Sequence, residues 1–84
     1  MTFTYYTNGV CSRSIDISVE DGIVTDVKYN GGCNGNLKGI GELVKGMKVD
    51  QVIEKLENIK CGFKNTSCPA QLAEALKEYR SQNG

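Results

Sequence analysis

Four cysteines, Cys11, Cys33, Cys61 and Cys68, carry the most distinctive chemistry in this sequence. The chain has no histidine, which excludes the Ser-His-Asp and Cys-His catalytic arrangements and every metal site that needs an imidazole. Cysteine thiolates bind zinc or iron–sulfur clusters, and they also exchange disulfides. The residue types therefore predict either a thiolate metal site or thiol redox chemistry.

The position of the cysteines favours a shared site. Each one lies beside glycine or turn residues and not on an apolar face, so we expect all four to lie in loops that converge at one end of the fold. No Cys-x2-Cys pair is present, so the spacing alone is weaker evidence than these loop positions. Six residues separate Cys61 from Cys68, which also permits a redox pair between these two.

Cys68 directly precedes Pro69 and a helical pattern. Proline fits the first position of a helix, so we predict Cys68 as the N-cap, with Gln71 at the third helical position. The unpaired N–H groups and the helix dipole at such a position favour a charged sulfur, which is the form that binds metals or attacks electrophiles.

The first third of the chain predicts a small antiparallel sheet. Residues 1–6 and 14–19 alternate between apolar and polar types, and Glu20-Asp21-Gly22 is a hairpin signal. Residues 23–29 then return as a third strand. Its predicted inner face consists of Ile23, Thr25, Val27 and Tyr29.

Three helical patterns follow the sheet. Apolar residues recur at helical spacing at Leu37, Ile40, Val44 and Met47, at Val49, Val52, Ile53, Leu56 and Ile59, and at Leu72, Ala75, Leu76 and Tyr79. This order predicts an α+β fold, with three helices packed on one face of a three-stranded antiparallel sheet. We expect residues 1–84 to form a single domain.

Composition narrows the classes of function and partner. Ten basic and ten acidic residues balance without a run of like charges, so nucleic acid is not an expected partner. The chain shows neither a signal-peptide pattern nor an apolar run near the ~20 residues that cross a bilayer, and we expect a cytoplasmic protein without a membrane partner. Thiols stay reduced in the cytoplasm, which favours metal binding or redox chemistry over structural disulfides.

The cysteine segments resemble a known family, the TSCPD domain in its short four-cysteine form. The segments that carry the resemblance are Gly32-Cys33-Asn34-Gly35, Cys61-Gly62 and Thr66-Ser67-Cys68-Pro69. The likeness covers nearly the whole chain, and Ala70 stands where the family's name has Asp. The same domain occurs at the C-terminus of cobalamin-dependent ribonucleotide reductases, so the resemblance implies a ribonucleotide reductase or another protein as partner. The chain has no barrel, cobalamin site or radical machinery, and we expect no enzyme activity from it alone.

A second resemblance is to U-type iron–sulfur cluster scaffolds. Cys11, Cys33 and Cys68 match the ligand positions of that family, and Asp21-Gly22-Ile23-Val24-Thr25-Asp26-Val27 matches a neighbouring segment. This likeness implies a scaffold-like fold. Ser67 stands where the scaffolds have histidine, and Cys61 adds a fourth thiolate.

We therefore predict a small four-cysteine module that binds zinc through Cys11, Cys33, Cys61 and Cys68, with no catalytic residue. One alternative is an iron–sulfur cluster scaffold or carrier that uses the same ligands. Another is a dithiol redox accessory of ribonucleoside-diphosphate reductase, in which Cys61 and Cys68 cycle between dithiol and disulfide. The sequence leaves the oligomeric state open.

Overall fold

A computed structural model describes residues 1–32, 34–59 and 67–83. Within these ranges the elements are β1 (Thr2–Tyr6), β2 (Ser12–Glu20), β3 (Ile23–Gly31), α1 (Asn34–Val44), α2 (Val49–Leu56) and α3 (Cys68–Asn83). The predicted α+β order of three strands followed by three helices is confirmed. Of the four predicted ligands, Cys33 and Cys61 lie outside the described residues. No helix within the described ranges is long and apolar enough to cross a membrane.

The sheet is antiparallel, with strand order β1-β2-β3. The turn between β2 and β3 consists of Asp21 and Gly22, whose φ angles of 53° and 77° are both positive. Two positive φ angles are typical of the tight hairpin turn whose twist matches the flanking strands. The hairpin predicted at this position is confirmed.

The predicted inner face is correct for β2 and partly wrong for β3. Ile15, Ile17 and Val19 are buried, as their alternation predicts. In β3, however, Val24 is fully buried and Thr25 is exposed. The cause is a β-bulge: Ser18 pairs with Asp26 and Val19 pairs with Val24, which leaves Thr25 as an extra residue and shifts the alternation.

All three helices cover the same face of the sheet. The inner residues of β2 and β3 form one apolar cluster with Val44 of α1, with Val49, Val52 and Ile53 of α2, and with Leu72, Ala75 and Leu76 of α3. Phe3 of β1 stacks on Tyr79 of α3, with ring centroids 5.6 Å apart and an interplanar angle of 8°. The core therefore joins the first strand to the last helix.

The opposite face of the sheet is polar. Thr4 Oγ1 donates to Asp16 Oδ1 at 2.7 Å, and Asn30 Nδ2 donates to Asp16 Oδ2 at 3.1 Å. These hydrogen bonds connect outward side chains of all three strands. The apolar side chains of the sheet lie on the other face, against the helices.

Two apolar positions that the sequence assigns to helices lie outside them. α1 ends at Val44, and Met47 belongs instead to a segment that runs along the start of β3, where Val24 N–H donates to Met47 O at 2.9 Å. Gly46 makes this departure from the helix possible because its φ is 84°. α2 ends at Leu56, and Ile59 beyond it is 42% exposed.

α1 packs closely on β3 at Gly41. A Cβ atom at this position would lie 2.6 Å from the backbone oxygen of Val27, whereas one at Gly39 would meet nothing within 4 Å. The absence of a side chain at Gly41 therefore sets how closely the helix packs on the sheet.

Candidate metal centre

Two of the predicted ligands, Cys11 and Cys68, lie side by side. Their Sγ atoms are 3.7 Å apart although 57 positions separate them in the sequence. Cys11 is exposed in the loop before β2, and Cys68 is buried as the first residue of α3. A disulfide bond is ~2.05 Å long, so these two sulfurs are not bonded to each other.

The start of α3 differs by one residue from the prediction, because Ser67 and not Cys68 is the N-cap. Ala70 N–H donates to Ser67 Oγ at 3.1 Å, and Gln71 N–H donates to Ser67 O at 2.8 Å. A serine hydroxyl is among the preferred capping acceptors, whereas a thiol accepts hydrogen bonds only weakly. The Cys68 sulfur is therefore not used as a cap, and it faces the Cys11 loop.

The Ser67 hydroxyl also connects the two ends of the segment that contains Cys61. It donates to the backbone oxygen of Ile59 at 2.6 Å while it accepts from Ala70. Ser67 is buried, and its contact with Ala70 is shielded from water. One side chain thus starts α3 and holds the end of the α2 region against it.

Replacing Ser67 by alanine should lower the free energy of unfolding by roughly 1–2 kcal/mol, because a helix cap and a buried hydrogen bond are both lost. Urea unfolding would measure the change. Ser81→Ala is the matched control, since Ser81 is exposed in the same helix. Equal stability of Ser67→Ala and the unsubstituted protein would contradict the capping role.

Ser12 and Tyr29 surround the sulfur pair, and sequence reasoning missed both. Ser12 Oγ lies 3.2 Å from Cys68 Sγ, and the Tyr29 hydroxyl donates to the backbone oxygen of Cys68 at 2.9 Å. Ser12 directly follows Cys11 in the sequence, and this position could have identified it as a neighbour of the site. The alternation of β3 predicts the face on which Tyr29 lies, but it gives no partner for the Tyr29 hydroxyl.

The phenol of Tyr29 keeps its proton over the whole neutral range. Burial raises the pKa of Tyr29 well above its ordinary value, and the nearby Cys68 sulfur raises this pKa further. The hydroxyl is therefore a fixed hydrogen-bond donor that holds the first residue of α3 against β3.

Tyr29→Phe should lower the free energy of unfolding by about 1 kcal/mol at pH 7, because the Cys68 carbonyl loses its donor. The raised pKa adds a dependence on alkaline pH. The stability it contributes is fully present below the unfolded-state pKa of about 10, and it is lost as the pH rises from there toward the higher folded-state pKa.

Urea titrations at pH 7 and above pH 10 would test both effects. The decline in stability between the two pH values should be shallower in Tyr29→Phe than in the unsubstituted protein. Tyr6→Phe is the control, because Tyr6 is 78% exposed and its substitution should change neither value. A Tyr29→Phe variant that matches Tyr6→Phe at both pH values would refute the prediction.

The backbone just before Cys33 lies against the Cys11 sulfur. Gly32 has a φ of 80°, and a Cβ atom there would lie 3.1 Å from Cys11 Sγ and 2.9 Å from Leu37 Cδ1. Any larger residue would displace one of these neighbours. Gly32 thus allows the end of β3 to pass directly beside the sulfur pair.

Within the described ranges, no group of three or more His, Cys, Asp or Glu side chains is placed to hold a metal ion. The described cysteines, Cys11 and Cys68, supply two of the four thiolates in the predicted site. The roles of Cys33 and Cys61 stay predictions, since both lie outside the described residues.

Comparison with known proteins identifies the family of the chain. A family model described as the TSCPD domain matches residues 2–80. No curated protein and no solved structure gives a significant match. The match covers nearly the full length and spans all four cysteines, and the chain therefore belongs to the TSCPD domain family.

Proposed function

We propose that this chain is a small metal-binding module that holds one zinc ion through Cys11, Cys33, Cys61 and Cys68. The observation that carries the proposal is the 3.7 Å distance between the sulfurs of Cys11 and Cys68. Zn–S bonds of ~2.3 Å in a tetrahedral site separate neighbouring sulfurs by roughly 3.8 Å. The two described cysteines fit two ligands of one tetrahedral ion.

The position of Gly32, the preceding residue, supports the inclusion of Cys33. Cys33 directly follows Gly32, and a Cβ atom at Gly32 would lie 3.1 Å from Cys11 Sγ. Gly32 thus lies beside the Cys11 sulfur, and a neighbouring Cα is only ~3.8 Å along the chain, so Cys33 is within reach of a shared ion.

The positions of Ile59 and Ser67, on either side of the segment that contains Cys61, support the fourth ligand. Cys61 follows Ile59 by two residues, and the Ile59 carbonyl accepts a hydrogen bond from Ser67, the neighbour of Cys68. Two residues span at most ~7 Å, so the chain can bring a fourth thiolate to the pair.

A closed shell of four thiolates is the structural kind of zinc site, because it leaves no position for water or substrate. When bound, zinc would supply a cross-link between the start of β2 and the start of α3. The chain's own contribution is to orient the ligands: Ser12 contacts the Cys68 sulfur, and Tyr29 holds the Cys68 backbone. A domain of this size gains stability from such a staple.

Membership of the TSCPD family makes the chain a small domain related to ribonucleotide reductase. We propose that it acts in the cytoplasm as an interaction module for such a reductase, without activity of its own. Titrating a purified cobalamin-dependent ribonucleotide reductase with the zinc-loaded protein would test this proposal. We expect saturable binding, and no binding at micromolar concentrations would remove this reductase as the partner.

Metal and labile-sulfide analysis of anaerobically purified protein, with its absorption spectrum, tests the metal proposal. We expect colourless protein with about one zinc per chain and no sulfide. Iron with stoichiometric sulfide would contradict the zinc proposal and favour the iron–sulfur alternative, in which the same thiolates bind a cluster. Metal-free protein with four titratable thiols would overturn metal binding and leave the dithiol alternative.

A further inference from the structure

We propose that Cys11 and Cys68 form an intramolecular disulfide when the metal-free protein meets a hydroperoxide. This pairing differs from the Cys61–Cys68 pair that the sequence suggests, and it does not rest on zinc binding. The pair joins an exposed thiol in the loop before β2 to a buried thiol at the start of α3. An oxidant can therefore reach the pair from solvent at Cys11, and the pair is a site of oxidative modification.

The folded chain holds the two sulfurs ready to react. They are 3.7 Å apart, and a disulfide requires them to approach to ~2.05 Å. Side-chain rotation can supply much of this approach, while Tyr29 anchors the Cys68 backbone and Ser12 contacts the Cys68 sulfur. Holding two reactive groups together in this way greatly raises their effective concentration.

The reaction balances with one hydroperoxide per disulfide. The Cys11 thiol loses its proton and its sulfur attacks a peroxide oxygen, the O–O bond breaks, and the hydroxide that leaves takes up that proton, which gives one water and a sulfenic acid on Cys11. The Cys68 sulfur then attacks the Cys11 sulfur, the S–O bond breaks, and a second water leaves. Two thiols and one hydrogen peroxide thus give one disulfide and two waters, and each sulfur loses one electron to the peroxide.

The unfolded chain should choose a different pair. Loop closure costs more entropy as the loop grows, so an unfolded chain favours Cys61 with Cys68, which six residues separate. In the folded chain Cys68 instead faces Cys11, 57 positions away. The identity of the disulfide therefore reports whether the fold brings the two sulfurs together.

Peptide mapping of the metal-free, unsubstituted protein after one equivalent of hydrogen peroxide tests the proposal. We expect the mass of the intact chain to fall by that of two hydrogens, with one cross-linked peptide that contains Cys11 and Cys68. The midpoint of thermal unfolding should rise by roughly 20 °C, because the disulfide closes a long loop between positions 57 apart. The same treatment in guanidinium chloride should give mainly the Cys61–Cys68 pair.

The double variant Cys33→Ser/Cys61→Ser keeps only the proposed pair and removes competing thiols. It should form the same disulfide, and adding Cys11→Ser should abolish it. Circular dichroism checks that the double variant folds, and the map of the unsubstituted protein decides the question if it does not. Native protein that pairs Cys68 with Cys33 or Cys61, or that accumulates sulfinic acid without a cross-link, would overturn the proposal.

Discussion

Replacing either Cys11 or Cys68 by serine should reduce bound zinc from about one ion per chain to nearly none, because four-thiolate zinc sites need every ligand. The loss of stability should be large. Zinc stabilises only the folded chain, because the unfolded chain has no preformed site, and we expect the apolar core to keep the metal-free domain folded at lower stability. We therefore expect thermal unfolding of both variants to resemble that of the chelated protein.

The different exposure of the two cysteines makes this pair a sharp test. Packing alone predicts that Cys11→Ser is nearly neutral, within about 0.5 kcal/mol, since Cys11 is exposed. It predicts a loss only for Cys68→Ser, because Cys68 is buried. A shared ion instead predicts equal losses of zinc, and a double variant hardly worse than either single one. Full zinc content in Cys11→Ser would remove Cys11 from the site.

Gly41→Ala should lower the free energy of unfolding by roughly 2 kcal/mol, which is the usual scale for forcing an extra methyl group into a packed interface. The new Cβ would lie 2.6 Å from the Val27 backbone oxygen. A β-strand backbone cannot rotate away as a side chain can, so α1 must move outward. In a domain of this size the thermal midpoint should fall by roughly 10 °C.

Gly39→Ala is the matched control in the same helix. A Cβ atom at Gly39 meets nothing within 4 Å. Alanine has the higher helix propensity, so this variant should gain up to ~1 kcal/mol. Opposite signs for the two substitutions, measured by urea unfolding, would establish that close packing on β3 requires Gly41. Equal gains in both variants would contradict it.

Local patterns predicted most of the fold. The alternation of Ile15, Ile17 and Val19 identified the inner face of β2, and Asp21-Gly22 identified the hairpin. The bulge at Thr25 was not predictable, because an extra residue in a strand depends on its pairing partner and leaves the composition of the strand unchanged. A single bulge was enough to exchange Val24 for Thr25 on the buried face.

The sequence predicts which residues form the candidate site but not the geometry of the two that the structure describes. Loop positions suggested that the cysteines converge, and the structure brings Cys11 to Cys68. That contact depends on how α3 packs across the sheet, which no short segment encodes. The Ser67 cap was predictable, because serine is a preferred N-cap residue and Ser67 directly precedes Cys68, the predicted cap. Its second contact, to Ile59, is tertiary.

The most deeply buried part of α3 has a consequence for the order in which the molecule forms. Leu72, Ala73, Ala75 and Leu76 are all fully buried. During synthesis the inner face of the sheet therefore stays incompletely covered until these residues leave the ribosome, and such nascent chains are substrates for chaperones. Cys68 starts the same helix, so Cys11 meets its partner only after α3 has emerged. On the proposed function, metal loading waits for α3 and cannot guide the folding of the elements that precede it.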